Sequence, residues 1–324
     1  YEPKSFAVKA FRFFYSYLIF TGTTRVLATL GARADLPPAG GNRHIAFLKA
    51  GIANSFGKIP VIKKRLVPWL FGKVFNGRPY RYLFEKYRPS LVFATSIAFI
   101  PESELLAEAG RHGVPTVGMA CNWDHLNKYF IPRRADYLIV QNEPMKLEGV
   151  NLQGYEPDQI TVTGFPQFDQ YHGIASRVVS RKEFFSHFNL PEDAKLILFI
   201  SGTAYSLDEP DILANISDWI QSKRFVKKAR LMVRPYVVLR DREREEEKYK
   251  SFVDNPVMVF NWMKSNESPE AKRLYLGMLY YADVVISMFS TTAIEAALLD
   301  KPTIAIGFDG YANRPPHQTI RRME

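Results

Sequence analysis

From residue 90 onward the chain alternates short apolar runs, rich in β-branched and aromatic residues, with longer stretches of mixed polarity. That alternation predicts parallel strands that return through crossover helices. Strands are expected at Ser90–Ser96, Pro115–Cys121, Asp136–Asn142 and Ile160–Gly164, with helices at Glu102–His112, stopped by Gly113, and at Glu143–Gly154. A less regular stretch, 165–194, precedes a second series. It reads as strand Leu196–Ser201, helix Asp211–Lys223, strands Ala229–Arg234 and Val257–Asn261, helix Ala271–Ala282, strand Asp283–Met288, helix Thr291–Leu299 and strand Thr303–Gly307. The pattern is therefore α/β, with two Rossmann-like units divided between residues 170 and 190, giving domains 1–175 and 176–324. In such layers ligands gather at the carboxyl ends of the strands, where Ser96, Asn122 and Asn142 fall in the first unit. The charged run 241–250, DREREEEKYK, reads as a solvated helix or loop without chemistry.

Composition agrees with a folded two-domain protein: 324 residues, of which 47% are hydrophobic and 23% charged. The single cysteine, Cys121, excludes an intramolecular disulfide and a Cys-based zinc cage, and it fits a reducing, cytoplasmic compartment. No apolar run reaches the roughly 18–20 residues of a spanning helix. The chain opens Tyr1-Glu2-Pro3-Lys4 without an initiator Met and stops at Glu324 soon after the last strand, so truncation at one or both ends is expected.

Charge changes the picture more than composition does. The net charge is +10, yet residues 1–88 hold 16 Lys and Arg against 3 Asp and Glu, leaving the remainder slightly acidic. Such a field attracts phosphates of a nucleic acid, an anionic membrane face or a diphosphate substrate. No zinc-finger spacing, RNP1-like string or basic region leading into heptads supports nucleic acid as the partner. Near the start, Lys4, Lys9, Arg12 and Arg25 interleave with Phe6, Phe11, Phe13, Phe14, Tyr15, Tyr17 and Phe20. Two readings fit: a helix lying on an anionic membrane surface, and an aromatic helix packed on its own domain.

Several signatures fail. The stretch from Gly51 to Gly57-Lys58 has five intervening residues where a P-loop has four, and Ile59 stands in the place of the magnesium-binding Ser or Thr. G-x-G-x-x-G, G-x-S-x-G and H-E-x-x-H do not occur, and the six histidines show no metal-ligand spacing. Without a D-x-D element to hold a metal on a nucleotide diphosphate, metal-independent chemistry is expected.

The richest stretch is residues 281–310. A buried strand runs into Ser290, Thr291 and Thr292, residue types that cap a helix and can leave its first amides facing an anion. One turn later, Glu295 can accept two hydrogen bonds from a ribose diol. An ordinary helix cap with an acid that complements the helix dipole is the alternative.

Ser290-Thr-Thr, Glu295-Ala-Ala and Lys301-Pro-Thr-Ile resemble the donor-binding half of GT-B glycosyltransferases, most closely the bacterial surface-carbohydrate group related to CDP-glycerol glycerophosphotransferases. Asn122-Trp-Asp-His-Leu-Asn-Lys128 is similar to that group's W-D-N-x-S/T-x-K element, departing at His125 and Asn127, and Val162-Thr-Gly-Phe-Pro-Gln-Phe-Asp169 to its V-T-G-x-P-Q-F-D. The resemblance spans roughly residues 90–311. It implies two Rossmann-like domains facing a cleft, an acceptor held mainly by the first and a nucleotide-activated donor by the second. It also implies a glycosyltransferase acting on a surface glycan or lipid-linked acceptor at the inner membrane face, with no cofactor beyond the donor. Glycerophosphotransfer and a catalytically silent GT-B-like scaffold are the alternatives.

Roles then distribute as follows. Gly202 and Thr203, after Ser201, meet the donor diphosphate or form a tight turn. Arg234 grips phosphate with its planar fork or lies exposed before Pro235. Asp124, the acid that the family element retains, takes a proton from the acceptor hydroxyl or orients it, with His125 competing for that role and a structural loop role as the alternative. Asn122 and Lys128 contact acceptor or phosphate, or Lys128 is simply exposed. Asp169 fixes the interdomain turn, and Asp309 and Gly310 close over the donor.

Overall fold

The computed structural model describes residues 6–22, 46–128, 130–202, 209–222, 224, 228–236, 242–264, 267–287 and 290–308. The chain divides into two compact units, Tyr1–Pro166 and Gln167–Glu324.

The first unit opens with helices α1 (Phe6–Ser16), α2 (Ala46–Asn54), α3 (Val67–Val74) and α4 (Arg81–Tyr87). A four-stranded parallel sheet follows, β1 (Val92–Ala94), β2 (Thr116–Met119), β3 (Tyr137–Val140) and β4 (Ile160–Val162), in that spatial order. Helix α5 (Ile100–His112) crosses from β1 to β2 and ends where Gly113 takes a φ of +66°, a left-handed cap that costs glycine nothing. The single turn α6 (His125–Lys128) follows β2, and α7 (Glu143–Asn151) joins β3 to β4. Asn142 caps α7, its side chain accepting from the Met145 N–H at 2.9 Å.

Most of the aromatic leader packs on its own domain, with Phe6 exposed. Tyr15, Tyr17, Leu18 and Ile19 are buried with Ile52, Ile62, Val67 and Phe130, and Phe11, Phe13 and Phe14 pack against them. Burial of each large apolar side chain is worth roughly 1.5–3 kcal/mol relative to leaving it in water.

In the second unit, α8 (Arg181–His187) precedes a five-stranded parallel sheet of β5 (Lys195–Ile200), β6 (Ala229–Arg234), β7 (Met258–Phe260), β8 (Val284–Ser287) and β9 (Thr303–Ala305). Helices α9 (Glu209–Gln221), α10 (Arg242–Tyr249), α11 (Pro269–Tyr281) and α12 (Thr292–Leu298) connect the strands. The spatial order is β7-β6-β5-β8-β9, so the connectivity reverses between β5 and β8. Leu196, Leu198 and Ile200 face a cluster containing Phe184, Leu274 and Met278, whereas Ile197 and Phe199 face Ile212, Leu213 and Ile216. A central parallel strand buried on both faces explains its uninterrupted apolar sequence. Tyr171 and Ile174 belong to the first of these clusters. Segment 167–175 is thereby packed into the second unit, and the division falls earlier than the expected 175.

Candidate functional site

In the second unit the strand order reverses between β5 and β8, and doubly wound sheets bind ligands beyond the carboxyl ends of the strands at such a reversal. Ser201 and Gly202 leave β5 there. Both are engaged by Glu209, a fully buried carboxylate at the start of α9. Ser201 Oγ donates to it at 2.7 Å, the Gly202 N–H at 2.5 Å, Tyr249 Oη at 2.9 Å and Lys248 Nζ at 2.6 Å. The Gly202 amide, expected to meet a diphosphate, is therefore taken by a carboxylate that needs donors once it leaves water. Thr203 lies outside the described residues. Lys248 and Tyr249 also correct the reading of 241–250 as a solvated run, because α10 turns Glu245, Lys248 and Tyr249 inward. Burial and the Glu209 charge push the Tyr249 phenol well above its ordinary value.

Arg234 and Glu295 are brought together by a residue that sequence reasoning missed. The Arg234 guanidinium lies 5.7 Å over the ring of Tyr275, and the Tyr275 hydroxyl donates to Glu295 Oε2 at 2.9 Å. Arg234 Nη1 also donates to the Asn261 carbonyl at 2.8 Å, which fixes the plane of its fork at the end of β6. Burial raises the Glu295 carboxyl above its ordinary 4.5, against the Tyr275 hydrogen bond that lowers it. Burial lowers Arg234 in turn. The Tyr171 phenol, at the end of the turn that contains Asp169, is raised by burial first and by Glu295 beside it. The Asp169 carbonyl accepts from the His172 N–H at 3.2 Å.

The start of α12 is less open than expected. The Thr292 N–H goes to Ser290 Oγ at 3.2 Å, and Ser290 Oγ donates to Thr292 Oγ1 at 3.1 Å. The Ala293 and Ile294 amides are bonded to the Ser290 and Thr291 carbonyls. These short-range partners consume the amides that an anion would otherwise use, so Ser290, Thr291 and Thr292 define the turn more than an open cradle. Asp309 and Gly310 lie outside the described residues.

The first unit gathers the other candidates beyond β2. Asn122 Nδ2 lies 3.3 Å from His125 Nε2, and Lys128 pairs with Asp124 one turn away. The His125 ring meets Phe99 edge-on at 5.8 Å, and its Nδ1 is buried without a hydrogen-bond partner. Burial holds the imidazole below its ordinary 6.5, with Asp124 pulling it up and Lys128 down. Asn127, in the place of the expected Ser or Thr, donates to Glu148 Oε1 at 2.8 Å and ties α6 to α7. Burial, with Asp124 adding its charge, raises the Glu148 carboxyl. Further along the same edge Ser96 Oγ and Gln141 Oε1 are also buried and unpartnered. The arrangement sets an imidazole whose pKa is lowered by burial beside a lysine-paired carboxylate, with Nε2 facing the Asn122 amide nitrogen. Among the described residues no three His, Cys, Asp or Glu side chains converge as a metal cluster.

No protein-family profile matches the chain, and no curated protein matches it in sequence. Solved structures do. UDP-GlcNAc 2-epimerase from Methanocaldococcus jannaschii superposes with a TM-score of 0.53 at 16% identity, covering 74% of this chain and 67% of that one. UDP-GlcNAc 2-epimerase from Neisseria meningitidis, solved with UDP-GlcNAc, gives 0.52 at 12% identity over 79% and 67%. The heptosyltransferase II of E. coli, which uses ADP-heptose, gives 0.41 at 10% identity over 75% and 70%. At these identities the likeness to the two epimerases shows a fold, and that fold is GT-B-like.

Proposed function

We propose that the chain is a glycosyltransferase that moves a sugar from a nucleotide-activated donor to a hydroxyl of a surface glycan or lipid-linked acceptor. The observation that carries this reading is the Arg234–Tyr275–Glu295 series in the unit whose strand order reverses. Arg234 offers a fixed guanidinium for a phosphate, and Glu295 offers a carboxylate for the ribose diol. Tyr275 holds the two at a set spacing. Solved relatives in fold bind UDP-GlcNAc, which agrees with a nucleotide-sugar ligand.

On the acceptor side, His125 takes the hydroxyl proton while the acceptor oxygen bonds to the anomeric carbon. The bond from that carbon to the donor phosphate breaks, and the nucleoside diphosphate leaves with the electron pair. Asp124, paired with Lys128, orients the acceptor and the imidazole, and Asn122 supports the ring. The motif resemblance to the CDP-glycerol group supports a second reading, transfer of a glycerophosphoryl group by the same residues.

Incubation of the full chain with a panel of labelled UDP-, ADP- and CDP-linked donors and an undecaprenyl-phosphate-linked glycan tests this. Label in the lipid fraction, with free nucleotide diphosphate, is the expected result. Epimerised donor without transfer, or binding without turnover, contradicts it.

A further inference from the structure

We propose that residues 47–73 form a docking surface for an anionic lipid bilayer. The inference is independent of the nucleotide site.

Residues 36–84 carry nine Lys and Arg and not one Asp or Glu. Within them α2, the 3₁₀ turn Phe56–Lys58, the π-helical turn Ile62–Leu66 and α3 form a nearly continuous helical run. One side of this run is buried through Ile52, Ile62, Val67 and Phe71. Large apolar side chains occupy the exposed positions: Phe47 is 76% exposed, Val61 55% and Trp69 59%, with Phe56, Ile59 and Leu66 between 40 and 47%. Leu66, Trp69 and Lys73 are spaced three and four residues apart, one stripe of a helix, while Val67 and Phe71 form the opposite, buried stripe.

The cations sort by what they touch. Lys64 pairs with Glu156 at 2.9 Å, Lys63 reaches the Leu152 carbonyl at 3.3 Å, and Lys49 is buried over the Tyr17 ring. Those three belong to the domain itself. Lys58, Arg65 and Lys73 stay exposed with no ion pair among the described residues. Unpaired cations therefore alternate along this run with exposed tryptophan and aliphatic side chains.

A bilayer interface suits that mixture. Tryptophan settles at headgroup depth, aliphatic side chains enter the acyl boundary, and Lys or Arg reach back to lipid phosphates. A nucleic acid offers phosphates but gives Ile59, Val61 and Leu66 nothing apolar to enter. Among the described residues no helix is long and apolar enough to cross a membrane, so the contact is peripheral. The surface differs from the one expected from sequence, because Phe11, Phe13, Phe14 and Tyr15 of α1 pack on their own domain and Phe6 is its one exposed aromatic residue.

Co-sedimentation of the full chain with vesicles of phosphatidylcholine mixed with phosphatidylglycerol, and with phosphatidylcholine alone, tests the proposal. The protein is expected to pellet with the anionic vesicles at low salt, to be largely released at high salt, and to remain in solution with the neutral ones. The triple variant Lys58→Glu, Arg65→Glu, Lys73→Glu is expected to lose about 100-fold in partitioning, since each basic residue near the surface is worth about fivefold. Leu66→Ser with Trp69→Ser is expected to lose at least about tenfold. All five positions are exposed, so circular dichroism and unfolding temperature should match the parent and show that the variants fold. Retention of the parent in the supernatant, pelleting unchanged in both variants, or capture by a single-stranded oligonucleotide in preference to the anionic vesicles overturns the assignment.

Discussion

Tyr275 and Glu295, twenty residues apart and on different helices, share a 2.9 Å hydrogen bond in which the phenol donates to the carboxylate. The same phenol ring carries the Arg234 guanidinium on its face. A residue with no charge thus sets the distance between an anion-binding and a diol-binding group. Removing its hydroxyl in Tyr275→Phe leaves a buried carboxylate one donor short, at a cost of about 1–3 kcal/mol. Chemical denaturation should show that loss, and nucleotide affinity should fall with it.

Glu295 also predicts a pH dependence. Its carboxyl is raised above 4.5 in the fold, so it binds its proton more tightly there than in the unfolded chain. Its contribution to stability is complete below pH 4.5 and is lost as pH rises through the raised value. Denaturation midpoints compared across that window should fall less steeply in Glu295→Gln than in the parent. Nucleotide binding should run the other way, improving as the carboxylate ionises.

Glu108 has the opposite sign. Hydrogen bonds from Arg78 above all, opposed by burial and joined by Arg111 and His112, hold its carboxyl at about 2. The stability it supplies is complete above pH 4.5 and is lost as pH falls toward 2. Arg78 and Arg111 are each about a third exposed, so screening limits the effect to about 1–2 kcal/mol. An acid-unfolding curve for Glu108→Gln should be flatter than that of the parent, starting from a lower plateau.

The Glu209 network predicts an asymmetry between variants. Lys248→Met strands a buried carboxylate and should cost about 3–5 kcal/mol, read as a lower thermal midpoint. Combining it with Glu209→Gln removes the stranded charge and should recover part of the loss. Equal midpoints in the single and double variants would show that the ion pair does not hold the turn after β5.

Catalysis should follow His125. Because burial lowers its pKa, the acid limb of kcat/KM is expected below pH 6.5, where the imidazole takes up a proton. His125→Gln should reduce transfer by about 10²–10⁴-fold with donor affinity unchanged. Transfer should also survive a chelator. Restoration of a chelated enzyme by manganese or magnesium would count against metal-independent chemistry.

The sheets were legible because each strand is a short apolar run between polar turns, and Ala229–Arg234 agrees with the expected strand residue for residue. Helix ends marked by local chemistry were equally legible, as at Asn142 and Gly113. What escaped were partners supplied from distant segments. Tyr275 looks like any aromatic on an amphipathic helix, and its pairing with Glu295 exists only once α11 and α12 are packed. Lys248 disappears into a run of ten mostly charged residues, although Tyr249, the single aromatic in that helix, marked its inner face. The leader α1 was ambiguous for the same reason: aromatic residues beside cations suit a core and a bilayer alike.

Titration calorimetry of UDP, ADP and CDP against the intact parent chain and its folded Glu295→Gln variant tests the central claim most directly. At least one nucleotide should bind the parent and lose about 1–3 kcal/mol of affinity in the variant, the cost of charge-assisted bonds to a ribose diol. No binding to the parent by any of the three, or equal affinity in parent and variant, would contradict it.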